Sequence, residues 1–167
     1  MAGMNPQHYI VAGLGKLRKL NAVPKEQQQV VDDITRRALR FLDAQIKREY
    51  GQVRKLKNKL PGSSTGNLQA HYLYMRSFFT SRVTGDVFPA YNYFRNEARK
   101  NWMKQNSYTK AMLAVAFNRT ADKQTAAQIM ASLKENAIRN DEFGTYWKDM
   151  SGGYYWYQAP VETQSVL

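Results

Sequence analysis

A chain of 167 residues, of which 43% are hydrophobic and 13% aromatic, is long enough for one folded domain and too apolar to be disordered throughout. It contains no cysteine and two histidines, which excludes disulfides and thiolate chemistry and argues against a metal site. The 25 Lys and Arg residues outnumber the 13 Asp and Glu residues, for a net charge of +12. That excess of positive charge suits binding to nucleic acid, to an anionic membrane surface or to an acidic neighbour, and it is also compatible with a basic face in water.

We predict a single domain over residues 1–167, without a cofactor. No apolar run reaches about 18 residues, so the sequence predicts no transmembrane helix. Apolar residues recur at steps of three and four, and Pro, Gly, Asn and Asp punctuate the segments between them. This pattern predicts six helices, which span about residues 7–20, 25–50, 67–80, 89–103, 107–117 and 122–140.

The first predicted helix has an apolar stripe formed by Ile10, Leu14 and Leu17, with Val11 as a further candidate. Gly13 and Gly15 lie within it, and each costs a helix about 1 kcal/mol relative to Ala. The usual compensation for a helical glycine is the close approach of another backbone. We therefore expect a second helix to pack against this one.

The second predicted helix is long and amphipathic, with Gly51 as its expected end and a basic, exposed connection over residues 52–60. Its charged positions are expected to face water. They are Asp32, Asp33, Arg36, Arg37, Arg40, Asp43 and Lys47. Its apolar positions are expected to face the core. They are Val30, Val31, Ile34, Ala38, Leu39, Leu42 and Ile46.

The later helices are predicted to begin at caps, with Asn67 before the third, Asn106 before the fifth, and Thr120 or Asp122 before the sixth. Each has an expected inward face. In the third helix it is Leu68, His71, Tyr72, Met75, Phe78 and Phe79. In the fourth it is Tyr93, Phe94, Ala98 and Trp102, in the fifth the small residues from 111 to 117, and in the sixth Ala127, Ile129, Met130, Leu133 and Ile138.

No segment alternates β-branched residues with a period of two, so we predict an all-α chain with no sheet of more than two short strands. Tightly packed helices (first, third, fifth) alternate with longer, charged ones (second, fourth, sixth). This alternation is typical of stacked helical hairpins, and the irregular units favour a barrel of helical pairs over a fixed-period solenoid.

Several polar groups have a structural explanation beside a chemical one. His8 and His71 each sit near a Tyr and are interpreted as hydrogen-bonded packing residues. The acid pairs at 32–33 and 141–142 are interpreted as solvent or dipole features, because catalytic carboxylates converge in a pocket. The hydroxyl run at 63–65 lacks a base nearby in sequence. The basic run at 54–59 lacks interleaved aromatics for stacking on bases.

The final stretch combines a glycine pair, 152–153, with four aromatic residues, Tyr154, Tyr155, Trp156 and Tyr157. These four are the candidate interaction surface, although a loop packed over a helix end is the commoner role for such a stretch. Pro160 then reads as the start of a further helix. Because the chain stops there, we expect it to be a piece of a larger domain that begins and ends on equivalent helices.

Several short motifs in order resemble bacterial alpha-2-macroglobulin-like proteins. YIVAGLGKL at residues 9–17 resembles the opening helix of their thioester domain, and YLYMRSFF at 72–79 resembles the next inner helix. ENAIRNDE at 135–142, YWK at 146–148, GGYYW at 152–156 and ETQ at 162–164 resemble the stretch that follows. The resemblance covers nearly the whole chain.

The resemblance implies part of an α/α toroid of helical hairpins, within a large envelope, periplasmic or secreted protein that traps proteases. It implies target proteases and the rest of the parent chain as partners. The family's reactive group is a thioester between Cys and Gln in a Cys-x-Glu-Gln motif. This chain has no Cys, so it carries no thioester residue and no catalytic residue transfers to it.

Three functions therefore stand at this point. The first is a non-enzymatic scaffold and interaction part of such an endopeptidase inhibitor. The second is a basic helical nucleic-acid-binding module, with at most weak, salt-sensitive and sequence-independent binding expected. The third is an α/α-toroid enzyme acting on polysaccharide, which requires convergent carboxylates. For the first, we also expect self-association through Ile10, Leu14 and Leu17 at one end and Val161, Val166 and Leu167 at the other.

Overall fold

The computed structural model describes residues 6–57, 66–79, 83, 85–142 and 144–147. The described chain is mostly helical, which confirms the all-α prediction. Its helices are α1 Pro6–Lys19, α2 Gln28–Lys57, α3 Asn67–Arg76, α4 Phe88–Asn101, α5 Ser107–Arg119 and α6 Lys123–Glu135. Short 3-10 turns cover Lys25–Gln27, Gly85–Val87 and Trp102–Lys104, and two strands follow α6, β1 Ala137–Asn140 and β2 Gly144–Trp147.

The chain divides into two compact units, residues 1–100 and residues 101–167, each defined by contacts among its own residues. In the first unit α1 packs against both α2 and α3. Gly15 of α1 lies close to the chain just after α3, because a Cβ added at Gly15 would lie 2.6 Å from Cβ of Phe78. The expected close approach is thus found at Gly15, whereas nothing lies within 4 Å of a Cβ added at Gly13.

The contact between Gly15 and Phe78 predicts how substitutions on α1 change the free energy of unfolding. Gly15→Ala is expected to lower the free energy of unfolding by about 1–3 kcal/mol, because Phe78 and the α3 backbone must move to admit the methyl group. Gly13→Ala is the matched control, with the same chemical change on the same helix. It should be neutral or stabilising by up to about 1 kcal/mol. Urea unfolding followed by circular dichroism measures both, and equal effects at the two sites would contradict the contact.

The apolar stripe predicted for α1 is buried only in part, at Val11 and, to a lesser degree, Leu14. The buried residues are His8, Val11, Ala12 and Gly15, while Ile10 remains 60% exposed and Leu17 43% exposed. A small-residue face can approach α3 more closely than a stripe of large aliphatic side chains can. The tertiary contact therefore selects the glycine side of the helix.

Helix α2 continues past Gly51 to Lys57, so the predicted stop was wrong. A single helical glycine costs only about 1 kcal/mol, and aromatic contacts hold the helix just before it. The ring of Tyr50 lies 5.2 Å from that of Tyr93 and 6.5 Å from that of Phe94, both on α4. Toward the other end of the helix, Val30 and Ile34 are exposed, contrary to their predicted inward position, whereas Leu42 and Ile46 are buried as predicted.

Helix α3 is the most buried element of the first unit, and every residue from 70 to 76 is buried. It ends at Arg76, four residues before the predicted end. Its N-cap is Gly66, with Asn67 as the first helical residue. On α4, Phe94 and Ala98 are buried as predicted. In α2, by contrast, the described side chains that are buried are those of Thr35, Leu42 and Ile46. This difference agrees with the predicted alternation between a tightly packed third helix and a longer, charged second helix.

The second unit contains the α5–α6 hairpin, and both predicted caps are present. The side chain of Asn106 accepts a hydrogen bond from Thr109 N–H at 2.8 Å, and that of Asp122 accepts one from Thr125 N–H at 3.3 Å. Each cap satisfies a backbone donor that the first helical turn leaves free. The inward positions of α6 are partly different from the predicted set. Ile129 and Leu133 are buried, whereas Ala127 and Met130 are exposed.

The sixth helix was predicted to reach residue 140, and this was wrong because residues 137–140 form β1. That strand pairs with β2 in antiparallel register, from Ala137 opposite Trp147 to Asn140 opposite Gly144. An isolated two-stranded hairpin is marginally stable. Here the indole N–H of Trp147 donates to the carbonyl of Leu133 on α6 at 2.7 Å, which ties the hairpin to the helix.

Candidate functional site

The aromatic residues predicted as an interaction surface, Tyr154, Tyr155, Trp156 and Tyr157, lie outside the described residues. The terminal apolar residues Val161, Val166 and Leu167 and the hydroxyl run at 63–65 lie outside them as well. The described part of the first unit instead carries two features that sequence reasoning missed, a buried polar interface and an exposed apolar face.

The buried polar interface joins α2 to α3. The hydroxyl of Tyr72 donates to Oδ1 of Asp43 at 2.5 Å, and Nε of Arg76 lies 3.3 Å from the same oxygen. Arg76 also forms a side-chain hydrogen bond with Tyr72, so the three groups are mutually connected. Burial, together with the charge of Asp43, raises the pKa of the Tyr72 phenol far above its usual range. The phenol therefore serves as a fixed donor to Asp43.

Asp43 was predicted on the water-facing side of α2, and this was wrong. Its side chain is 17% exposed and that of Arg76 only 7% exposed. Position 43 follows the buried Leu42, at the edge of the apolar stripe, where either environment fits the periodicity. The partners on α3 decide between them, because a buried guanidinium requires a carboxylate or comparable acceptors. The available sequence signal was the i, i+4 spacing of Tyr72 and Arg76 on a helix expected to be buried.

Further polar contacts extend this interface along α2. Nε2 of Gln69 donates to Oε2 of Glu49 at 2.8 Å. Burial raises the pKa of Glu49, although hydrogen bonds from Gln69 and Gln45 oppose the shift. Lys47 forms an ion pair with Asp86 in the 3-10 turn before α4, and the hydrogen bond from Lys47 lowers the pKa of that exposed carboxyl. Charged side chains of α2 thus contact both α3 and the 3-10 turn before α4.

The two histidines lie on α1 and α3, and both are buried. The ring of Tyr9 is 5.0 Å from that of His71. Desolvation, with a smaller repulsion from His8, lowers the pKa of His71 to about 4. His71 is therefore neutral near pH 7 in the folded chain, as a packing histidine requires.

Each of the two acid pairs singled out in the sequence has its own local partners. Asp32 pairs with Arg18 at 3.1 Å, and Asp33 pairs with Arg36 at 3.1 Å. The acids at 141–142 are exposed in the turn of the β hairpin, where Glu142 N–H donates to the Asn140 side chain. Within the described ranges, no group of three His, Cys, Asp or Glu residues could hold a metal ion.

The basic run at 54–59 belongs in part to the last turn of α2. The guanidinium of Arg54 lies 5.9 Å from the centre of the Tyr50 ring, a cation–π distance. An aromatic partner thus exists one helical turn before the run, although no aromatic residue interrupts it. Among the helices that the structure describes, none is both long enough and apolar enough to cross a bilayer.

The exposed apolar face lies on one side of the α1–α2 pair. Residues 20–27, which include the 3-10 turn Lys25–Gln27, link the two helices, and a connection this short is typical of antiparallel neighbours. Ile10 and Phe41 line one groove between them, together with Val11, Ala38 and other residues, and its volume is about 280 Å³. By helical spacing, Leu17 lies on the Ile10 side of α1, and Ile34 and Val30 lie on the Phe41 side of α2. The apolar face consists of Ile10, Leu17, Val30, Ile34 and Phe41, each more than 40% exposed.

In comparisons with protein-family models, with curated proteins and with solved structures, nothing matches this chain. Chemically, the buried groups are suited to holding helices together, and the apolar face is suited to contact with another molecule.

Proposed function

We propose that this chain is a scaffold and interaction segment of a bacterial alpha-2-macroglobulin-like protein, within the α/α toroid of its thioester domain. In this role it performs no reaction. It supports a protease-trapping protein of the periplasm, cell envelope or extracellular space. Its partners are the rest of the parent chain and, through that parent, target proteases.

The observation that carries the proposal is the contact between α1 and α3. Residues 9–17 and 72–79, the first two stretches with the family resemblance, form these helices and the residues just after α3. Gly15 and Phe78, one from each stretch, lie so close that a Cβ added at Gly15 would be 2.6 Å from Cβ of Phe78. An inner ring of a toroid requires alternate helices to pack side by side while the intervening helix lies outside. Neighbouring α1 and α3, joined through the long charged α2, fit that requirement.

A non-enzymatic role agrees with how the carboxylates are used. The four acidic residues of α2 each have a partner in the fold. Asp32 and Asp33 form surface ion pairs, Asp43 contacts Tyr72 and Arg76, and Glu49 contacts Gln69. A glycosidase mechanism needs two carboxylates facing each other across a substrate cleft. These four carboxylates support the fold instead.

The test is to sequence and express the complete reading frame that contains this segment. The expected product has an export signal and flanking β-sandwich domains, and a protease incubated with it should co-elute with it on size exclusion. A frame that encodes only a short basic helical protein with sequence-selective nucleic-acid binding would refute the proposal and favour the second function.

A second prediction concerns covalent chemistry. Incubated with methylamine, this chain is expected to show no mass increase, because a thioester needs a thiol and the sequence has no cysteine. The control is the product of the complete frame, which should gain one methylamine if it contains Cys-x-Glu-Gln. Intact-mass spectrometry measures both, and a stoichiometric adduct on the present chain would contradict the prediction.

A further inference from the structure

We propose that the apolar face of α1 and α2 is a docking surface for an acidic amphipathic helix. The proposal depends on the described residues of the first unit and holds whether or not the parent is a protease trap. The face is exposed, it contains a groove, and the charges around it are positive.

The exposure is concentrated on one side of the helix pair. Ile10 is 60% exposed and Phe41 46% exposed, and the other members of the face follow at helical spacing along both helices. Single exposed apolar side chains are ordinary on protein surfaces, whereas a contiguous group marks an interaction site.

The shape suits a helix. Two packed antiparallel helices leave a groove between them, and a third helix lies along such a groove with its own apolar ridge inserted. The groove between Ile10 and Phe41 is also lined by the smaller Val11 and Ala38, which leaves room for a side chain of the partner. Recognition of this kind uses apolar anchors one and two turns apart on the incoming helix.

The charge around the face is positive. Arg37 lines the groove, and Arg40 and Arg48 are exposed on the same helix. Within the described part of the chain, Arg37 and Arg40 have no ion-pair partner. The nearby carboxylate of Asp33 already pairs with Arg36. A partner that covers the apolar residues would therefore gain from carboxylates at its edges.

The same charges weigh against the other occupants of the face, and so against the self-association through Ile10 and Leu17 that the sequence leads us to expect. A second copy of this chain would bring its own arginines against these, between two molecules of net charge +12. An anionic membrane surface would satisfy the arginines. However, a membrane surface binds the flat apolar side of a helix through its acyl chains. Acyl chains have no side chain of defined shape to fill the groove at Ala38. The acidic helix satisfies both the charge and the shape.

The probe is a fluorescein-labelled synthetic helix with leucines along one face and glutamates on the other. The control peptide is identical except that lysine replaces every glutamate. The glutamate peptide is expected to bind this chain, as followed by fluorescence anisotropy, and the lysine peptide is expected not to bind. Binding should weaken as salt is raised, because part of the attraction is between exposed charges.

Variants assign the binding to the face. Phe41→Asp and Ile10→Asp are each expected to weaken binding of the glutamate peptide at least about tenfold, as the loss of an anchor residue does. Phe88→Asp is the matched control, because Phe88 is 49% exposed on α4, outside the face, and the variant should bind as the unaltered chain does. Arg37→Glu should reduce the preference for the glutamate peptide. Circular dichroism confirms that each variant is folded, as expected for exposed positions.

Four results would overturn the proposal. The glutamate peptide could fail to bind, or bind Phe41→Asp and Phe88→Asp equally. The chain could dimerise in sedimentation experiments in a way that Phe41→Asp abolishes, which would make a second copy the occupant. It could also bind phosphatidylserine-containing vesicles in a Phe41-dependent way while ignoring the peptide, which would assign the face to a membrane surface.

Discussion

Asp43→Ala is expected to lower the free energy of unfolding by about 3 kcal/mol, the largest effect that we predict for a single substitution in this chain. The change removes the carboxylate that lies 3.3 Å from the buried guanidinium of Arg76 and accepts the Tyr72 hydroxyl. Removing one partner of a buried pair costs more than the pair contributes, because the remaining charge stays in a poorly solvated site. Urea unfolding followed by circular dichroism measures the loss.

Two comparisons make this prediction specific. Asp33→Ala removes a carboxylate from the same helix, but Asp33 and Arg36 are largely exposed, and the expected loss is below about 1 kcal/mol. Combining Asp43→Leu with Arg76→Met replaces both charges by apolar groups and should recover much of the stability lost in Asp43→Ala. Equal losses for Asp43→Ala and Asp33→Ala would show that the buried interface contributes no more than a surface pair.

Acidification to pH 4 is expected to cost the fold about 3 kcal/mol through His71 alone. The folded pKa of His71 is about 4, below its ordinary value of 6.5, so the fold favours the neutral imidazole. A group whose pKa is depressed by folding contributes stability that is fully present above the unfolded pKa. That stability is lost as the pH falls from about 6.5 through the folded pKa. The window of loss is therefore between about pH 6.5 and 4.

The measurement is the free energy of unfolding at several pH values, compared between the unaltered chain and His71→Gln. The variant cannot titrate at this position, so its stability should fall less steeply below pH 6.5, whatever it loses at pH 7. Carboxylates contribute to acid unfolding in both proteins and cancel in the difference. Parallel pH profiles for the two proteins would contradict the assignment of this loss to His71.

Local chemistry explains which elements the sequence could predict. Asn106 and Asp122 cap their helices as expected, because a cap depends on a side chain and a backbone donor three residues away. The six helices follow from apolar spacing for the same reason, and the all-α class follows from them. The candidate aromatic surface at 154–157 lies outside the described residues and stays a prediction. The family resemblance, the toroid and the protease-trap function stay proposals.

Contacts between distant segments decided the rest. The side of α1 that is buried depends on Phe78, just after α3, which meets Gly15, so Ile10 and Leu17 of the aliphatic stripe remain exposed. The position of Asp43 depends on Tyr72 and Arg76, which lie 29 and 33 residues away along the chain. The strand at 137–140 depends on its pairing with β2 and on the bond from Trp147 to α6. Periodicity reports only that a helix has an apolar side. Which side is buried, and which polar groups are buried with it, depends on the partner that packs against it.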